Sequence, residues 1–225
     1  MLKKLITAAV LGISVLGVMS ANAATSGVYF TAQLGDANTH MASKTDLGAI
    51  QDKFTLDSPN LSNNGLTGRL AIGYQFNQNF ALEMGYLPLR KKELHSAVQG
   101  HMKEVPVNFS LSAALKQDVI DLTGKSIVPI SDKFNLYAKL GVAYVSSHIN
   151  INKKIVSLKD GSTQIMELPS PIAKHTWAPE VAMGASYDMT PNVSLDASWT
   201  HIQPVGKNRP GNIDFVALGF AYHFG

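Results

Sequence analysis

The sequence predicts an all-β fold: one eight-stranded antiparallel up-and-down transmembrane β-barrel. Three observations predict it. The terminal segment, Asp214 to Phe224 (DFVALGFAYHF), sets Val216, Leu218, Phe220, Tyr222 and Phe224 on one face and Ala217, Gly219, Ala221 and His223 on the other. Bulky residues on one side with small or polar ones on the other suit a strand between lipid and a narrow lumen. The same alternation recurs in eight segments separated by turn signals, an even number as such barrels require. Past the N-terminus, no apolar run reaches the roughly 20 residues of a spanning helix, so a membrane protein made from this chain closes as a sheet.

The first strand is Gly27 to Gly35, with Val28, Phe30, Ala32 and Leu34 on its apolar face. The second, Gly65 to Phe76, sets Leu66, Leu70, Ile72, Tyr74 and Phe76 against Thr67, Arg69, Ala71, Gly73 and Gln75. After Asn77-Gln78-Asn79, the third carries Phe80, Leu82, Met84 and Tyr86 outward and Ala81, Glu83 and Gly85 inward. So tight a link joins antiparallel neighbours. The fourth, Asp118 to Ile130, turns Asp121, Thr123, Lys125 and Ile127 inward; the fifth, Phe134 to Ser147, turns Asn135, Tyr137, Lys139, Gly141 and Ala143 inward. The sixth, His175 to Met189, and the seventh, Val193 to Ile202, put Glu180 and Asp196 on their inner faces. Long polar loops are expected at 36–64, 91–115, 148–174 and 203–212, although INKKIVSL and TQIMEL within the third read as a hairpin extension beyond the membrane. Short turns at 77–79, 131–133 and 190–192 place the other barrel end in the periplasm. Tyr74, Phe76, Phe80, Phe134, Tyr187, Tyr222 and Phe224 fall near that end as a girdle, and Trp177, Trp199 and Tyr86 near the opposite one.

Residues 1–23 read as a secretory signal: Lys3 and Lys4, an apolar run from Leu5 to Met19, then Ala21-Asn22-Ala23 as a small-x-small cleavage site. Cleavage leaves 24–225 as one barrel domain and removes two lysines from a formal balance of +3. The remainder gives no footing for a nucleic-acid partner. With no cysteine, the chain has neither a disulfide framework nor thiolate chemistry.

By parity, Arg69, Lys125 and Lys139 share the lumen with Glu83, Asp121, Glu180 and Asp196. An eight-stranded barrel has an interior just wide enough for side chains, so these charges read as a packed polar core or, alternatively, as the gate of a narrow ion path. The histidines at 40, 95, 101, 148 and 175 match no ligand spacing, and neither metal nor cofactor is expected. The nearest pair for nucleophilic catalysis, Ser198 and His201, falls on opposite faces, and no G-x-S-x-G elbow is present. No catalytic residue is assigned; a lipid-modifying enzyme ranks third, behind a surface protein and a channel. Lysines 91, 92, 153 and 154 keep the loops soluble or meet anionic outer-leaflet lipid.

LTGKSIVPISDKFNLYAKLGVAYV at 122–145, PEVAMGASYDMTPNVSLDASWT at 179–200, NIDFVALGFAYHFG at 212–225 and ALEMGY at 81–86 together resemble the transmembrane domain of the outer-membrane protein A family. The resemblance implies an OmpA-like, opacity-type barrel in the outer membrane of a Gram-negative cell, among lipid and lipopolysaccharide, with loops serving adhesion, host contact or membrane integrity. It implies opposed lumen charges, which Glu83, Lys125 and Lys139 match; Ser186 and Asp196 depart from the family's glutamate and arginine, so the pairing is expected to be rewired. The peptidoglycan-binding domain that often follows the barrel has no match up to Gly225, and its cell-wall role is not carried over. Gly219, Tyr222 and Phe224 resemble the C-terminal signal read by the barrel assembly machinery, with Ala217 at its usual polar position and Gly225 after the final aromatic.

Overall fold

The computed structural model describes residues 26–40, 65–102, 105–157, 163–168, 174–207 and 209–224, with backbone alone at 90–114, 149–157 and 163–168. The expected cleavage segment 1–23 and most of the 36–64 loop lie outside them. Among the described residues nine strands are present: β1 (Gly27–His40), β2 (Gly65–Asn77), β3 (Phe80–Met102), β4 (Val105–Pro129), β5 (Phe134–Ser157), β6 (Thr163–Leu168), β7 (His175–Asp188), β8 (Val193–Ile202) and β9 (Asn212–Phe224). All pair antiparallel, and β1 closes on β9 while β4 pairs with β5. Eight strands therefore form a ring, and β6 stands outside it, paired to β5 over Ile151–Val156. No helix among the described residues is long and apolar enough to cross a membrane.

The three short turns are built alike. Asn77 Oδ1 accepts from the N–H of Asn79 and Phe80, Ser131 Oγ from that of Phe134, and Thr190 Oγ1 from that of Val193. Each polar side chain caps backbone donors that the ladder has released.

Large apolar side chains on the outer wall, from Val28 and Phe30 to Leu218 and Phe224, are 38–64% exposed. So continuous an apolar band is a liability in water and is what lipid requires. The aromatic residues expected near the short turns are all on this wall, as are Trp177 and Tyr86 at the opposite border.

The region 91–115 corrects the loop expectation, and 148–174 carries the hairpin extension expected of INKKIVSL and TQIMEL. Residues 91–102 continue β3, 105–115 belong to β4, β5 runs on to Ser157, and Thr163–Leu168 forms β6. β1 likewise reaches His40 rather than Gly35. Their polar composition reads as loop, yet the ladder persists: Val98 pairs with Phe109, and Phe109 with Ile155. The result is a four-stranded sheet rising beyond the lipid band.

A second correction concerns facing. At the border of the band the apolar side switches from outward to inward, marked by adjacent apolar pairs: Tyr86-Leu87, Val119-Ile120, Tyr144-Val145 and Phe215-Val216. Beyond it, Leu87, Leu89, Val119, Val145, Ile202, Ile213 and Phe215 form a buried cluster inside the barrel. Their outward neighbours include Asp36, His40, Lys116 and Asp118. With water replacing lipid outside, burial favours apolar residues within. The expectation of a small or polar lumen throughout therefore fails at this end.

Candidate functional site in the barrel lumen

The inner wall along the lipid band is polar, and each strand contributes by alternation. Arg69 on β2, 3% exposed, is its hub. It donates from Nη1 to Glu83 Oε1 on β3 at 2.9 Å and grips Asp121 on β4 through Nη2 (2.7 Å) and Nε (3.3 Å). Glu83 Oε1 also accepts from Lys139 Nζ on β5 at 2.5 Å, and its Oε2 from the Tyr29 hydroxyl on β1 at 3.0 Å. Charges removed from water are tolerable only when so paired.

Asp196 on β8 accepts from Gln33 Nε2 at 2.6 Å and from the Tyr137 hydroxyl at 2.7 Å. Lys125 takes a different partner: its ammonium lies 4.1 Å from the Tyr137 ring centre and 5.5 Å from that of Tyr29, a cation–π seat. Glu180 on β7, 1% exposed, has an Oε2 without a hydrogen-bond partner among the described residues, and so does Thr123 Oγ1. Of the seven charges expected in the lumen, four (Arg69, Glu83, Asp121 and Lys139) meet in ion pairs.

Glycines make room for this cluster. A Cβ at Gly85 would run into the Arg69 guanidinium and the Asp121 carboxylate, and one at Gly184 into the Tyr137 ring. Parity reasoning placed Tyr137 inside; the parts played by Tyr29, Tyr137 and Gln33 as partners were missed, although alternation alone marks all three as inward.

Ser198 lies inside, accepting from Gln33 Nε2 at 2.9 Å, whereas His201 stands on the outer face with Asp214. The wall separates that pair. No group of three His, Asp or Glu side chains among the described residues is arranged to hold a metal. Of the terminal trio, Gly219 packs its backbone against Ala32 and Gln33, and the rings of Tyr222 and Phe224 meet edge to face at 4.9 Å on the lipid side.

Residues 23–225 match the model of the OmpA-like transmembrane domain. The chain belongs to that family. An uncharacterised protein of Coxiella burnetii is 28% identical over 92% of this chain and 81% of its own length. Outer membrane protein A of Serratia marcescens is 27% identical over 68% of this chain, which spans 38% of that protein. Among solved structures, Ail of Yersinia pestis, crystallised with a heparin analogue, is similar over 88% of this chain and 99% of its own, with a TM-score of 0.47 and 14% identity. Neisserial surface protein A is similar over 91% of this chain and all of its own, with a TM-score of 0.45 and 17% identity. As an OmpA-like barrel the protein resides in the outer membrane of a Gram-negative cell, in contact with its lipid and lipopolysaccharide.

Proposed function

We propose that this OmpA-like barrel is a closed membrane element acting through its outer surface, as an adhesin or surface antigen and as a structural stabiliser of the membrane. One observation carries the reading: the lumen is filled by two stacked layers, the Arg69–Glu83–Asp121–Lys139 ion pairs and the Leu87–Val119–Phe215 apolar cluster, while β3–β6 extend past the lipid band. An apolar constriction excludes water and ions even where charges line the path below it. The β3–β6 sheet and the connections at its base are then the contact surface for a host ligand, with the short turns in the periplasm. On this reading residues 1–23 are removed on export, and Gly219, Tyr222 and Phe224 hand the chain to the assembly machinery.

A narrow gated ion path is the second reading, favoured by the unpartnered Glu180 Oε2. Single-channel recording of refolded 24–225 in a planar bilayer decides between them. Silence in wild type, Glu83→Ala and Lys125→Ala supports the closed barrel. Discrete openings that change with either substitution place the channel first. Replacing the projecting sheet by short turns then tests the surface role: bacteria displaying the trimmed barrel should lose adherence to host cells while the barrel still folds.

A further inference from the structure

On the outward face beyond the lipid band, one carboxylate ties together the ends of β1, β8 and β9. Asp214 Oδ1 lies 2.8 Å from His201 Nδ1, and Asp214 Oδ2 lies 2.8 Å from His40 Nε2. A carboxylate only accepts, so both of these ring nitrogens donate. The other nitrogen of His201, Nε2, faces Gln203 Oε1 at 3.5 Å, and Gln203 gives its amide N–H to Asn212 Oδ1 at 2.7 Å. A neutral imidazole has one N–H, which Nδ1 uses; its Nε2 then turns a lone pair toward an oxygen. Only the imidazolium donates to both acceptors. Asn212 sits opposite His40 in the β1–β9 register, so the series His40, Asp214, His201, Gln203, Asn212 closes on itself at the seam between the first and last strands.

We propose that this cluster is an acid-tightened clasp, which pins the β8–β9 connection (203–211) and the outer end of β1 to the rim when the two imidazoles take up protons. Protonation turns neutral hydrogen bonds into charge-assisted ones and supplies the second donor of His201. The side chains are open to bulk solvent, His40 at 56% and Asp214 at 26%. Burial pushes the pKa of Asp214 up, but the hydrogen bonds and charge of His201, then of His40, more than offset it and hold the carboxyl below its usual range. A lowered carboxylate contributes above its ordinary value and loses that contribution as pH falls through the lowered one. Protonation of the imidazoles acts in the opposite direction, because each proton added turns a neutral donor into a charged one facing the carboxylate. The clasp is therefore tightest in mild acid, where the imidazoles carry protons and the carboxyl does not. The other charges near this face are Asp36 on β1 and Lys207 and Arg209 on the connection, with Arg209 already donating to the Pro204 carbonyl at 2.8 Å. Neighbouring β7 and β2 present uncharged Val181 and Leu66.

Hydrogen exchange of residues 203–211, measured on the full barrel in lipid vesicles and corrected for intrinsic rate, tests the clasp. Protection in wild type should rise about tenfold from pH 8 to pH 5.5, the size expected of strengthened charged hydrogen bonds. Arg209→Gln should keep the rise, whereas Asp214→Asn and His201→Gln should abolish it. Should Asp214→Asn fail to fold, the double variant His40→Gln/His201→Gln answers in its place. A wild type without the rise, or a rise that survives in folded Asp214→Asn or in the double variant, overturns the proposal.

Discussion

Glu83→Ala removes the acceptor on which three lumen side chains converge. Arg69 keeps its two bonds to Asp121, so the loss falls on Lys139 and Tyr29, which are 6% and 1% exposed. The Lys139 ammonium keeps the Tyr137 ring, 5.3 Å away, as a weaker contact. Leaving one partner of a buried ion pair uncompensated costs about 3–5 kcal/mol. The Tyr29 hydroxyl, if stranded, adds about 1–3 kcal/mol, partly overlapping the first loss. Urea titration of the refolded barrel in lipid vesicles, followed by tryptophan emission and gel mobility, should show a destabilisation of about 4 kcal/mol on these grounds. In Glu83→Ala/Lys139→Ala the stranded charge is gone as well, and about 2 kcal/mol should return as coupling between the two sites. A loss under about 1 kcal/mol for Glu83→Ala, with no coupling to Lys139, would mean that water solvates these charges and that the lumen is not a packed core.

Three further outcomes are expected. Phe215→Ala, which empties the largest side chain of the apolar layer, should cost about 3–5 kcal/mol, and only in combination with Glu83→Ala should it give a conductance that neither substitution gives alone. Gly85→Ala drives a Cβ into the Arg69–Asp121 pair and should cost about 1–3 kcal/mol, whereas Gly124→Ala, with only the Leu140 carbonyl at 3.9 Å, should be tolerated; urea midpoints of the two variants compare them directly. Phe224→Ala should lower the amount of barrel reaching the outer membrane in cells while purified protein still refolds into vesicles, as expected if that ring serves recognition during assembly.

Much of the fold was legible because lipid imposes a rule that the sequence must obey locally. Every band residue faces either lipid or lumen, so Val216 to Phe224 and Leu66 to Phe76 declare their strands by alternation alone. The same rule named the seven lumen charges, since inward parity follows from residue number. It failed where the chain leaves the bilayer. Residues 91–115 still alternate, but polar composition masks the ladder, and β3 to β5 prove longer than the band needs.

The sequence by itself determined the number of strands in the ring, the antiparallel order and which face each band residue takes, because hydrogen-bond closure in lipid allows a spanning sheet no other form. Only the tertiary structure decided the rest. Which charges pair depends on eight strands meeting across one lumen: Arg69 reaches Glu83 and Asp121, Lys125 rests on Tyr137, and Glu180 is left with an oxygen to spare. The apolar layer at Phe215 and the histidine clasp at Asp214 likewise join residues more than a hundred positions apart. Alternation fixes the side on which a residue lies. The neighbours it finds there are set by how the ring closes.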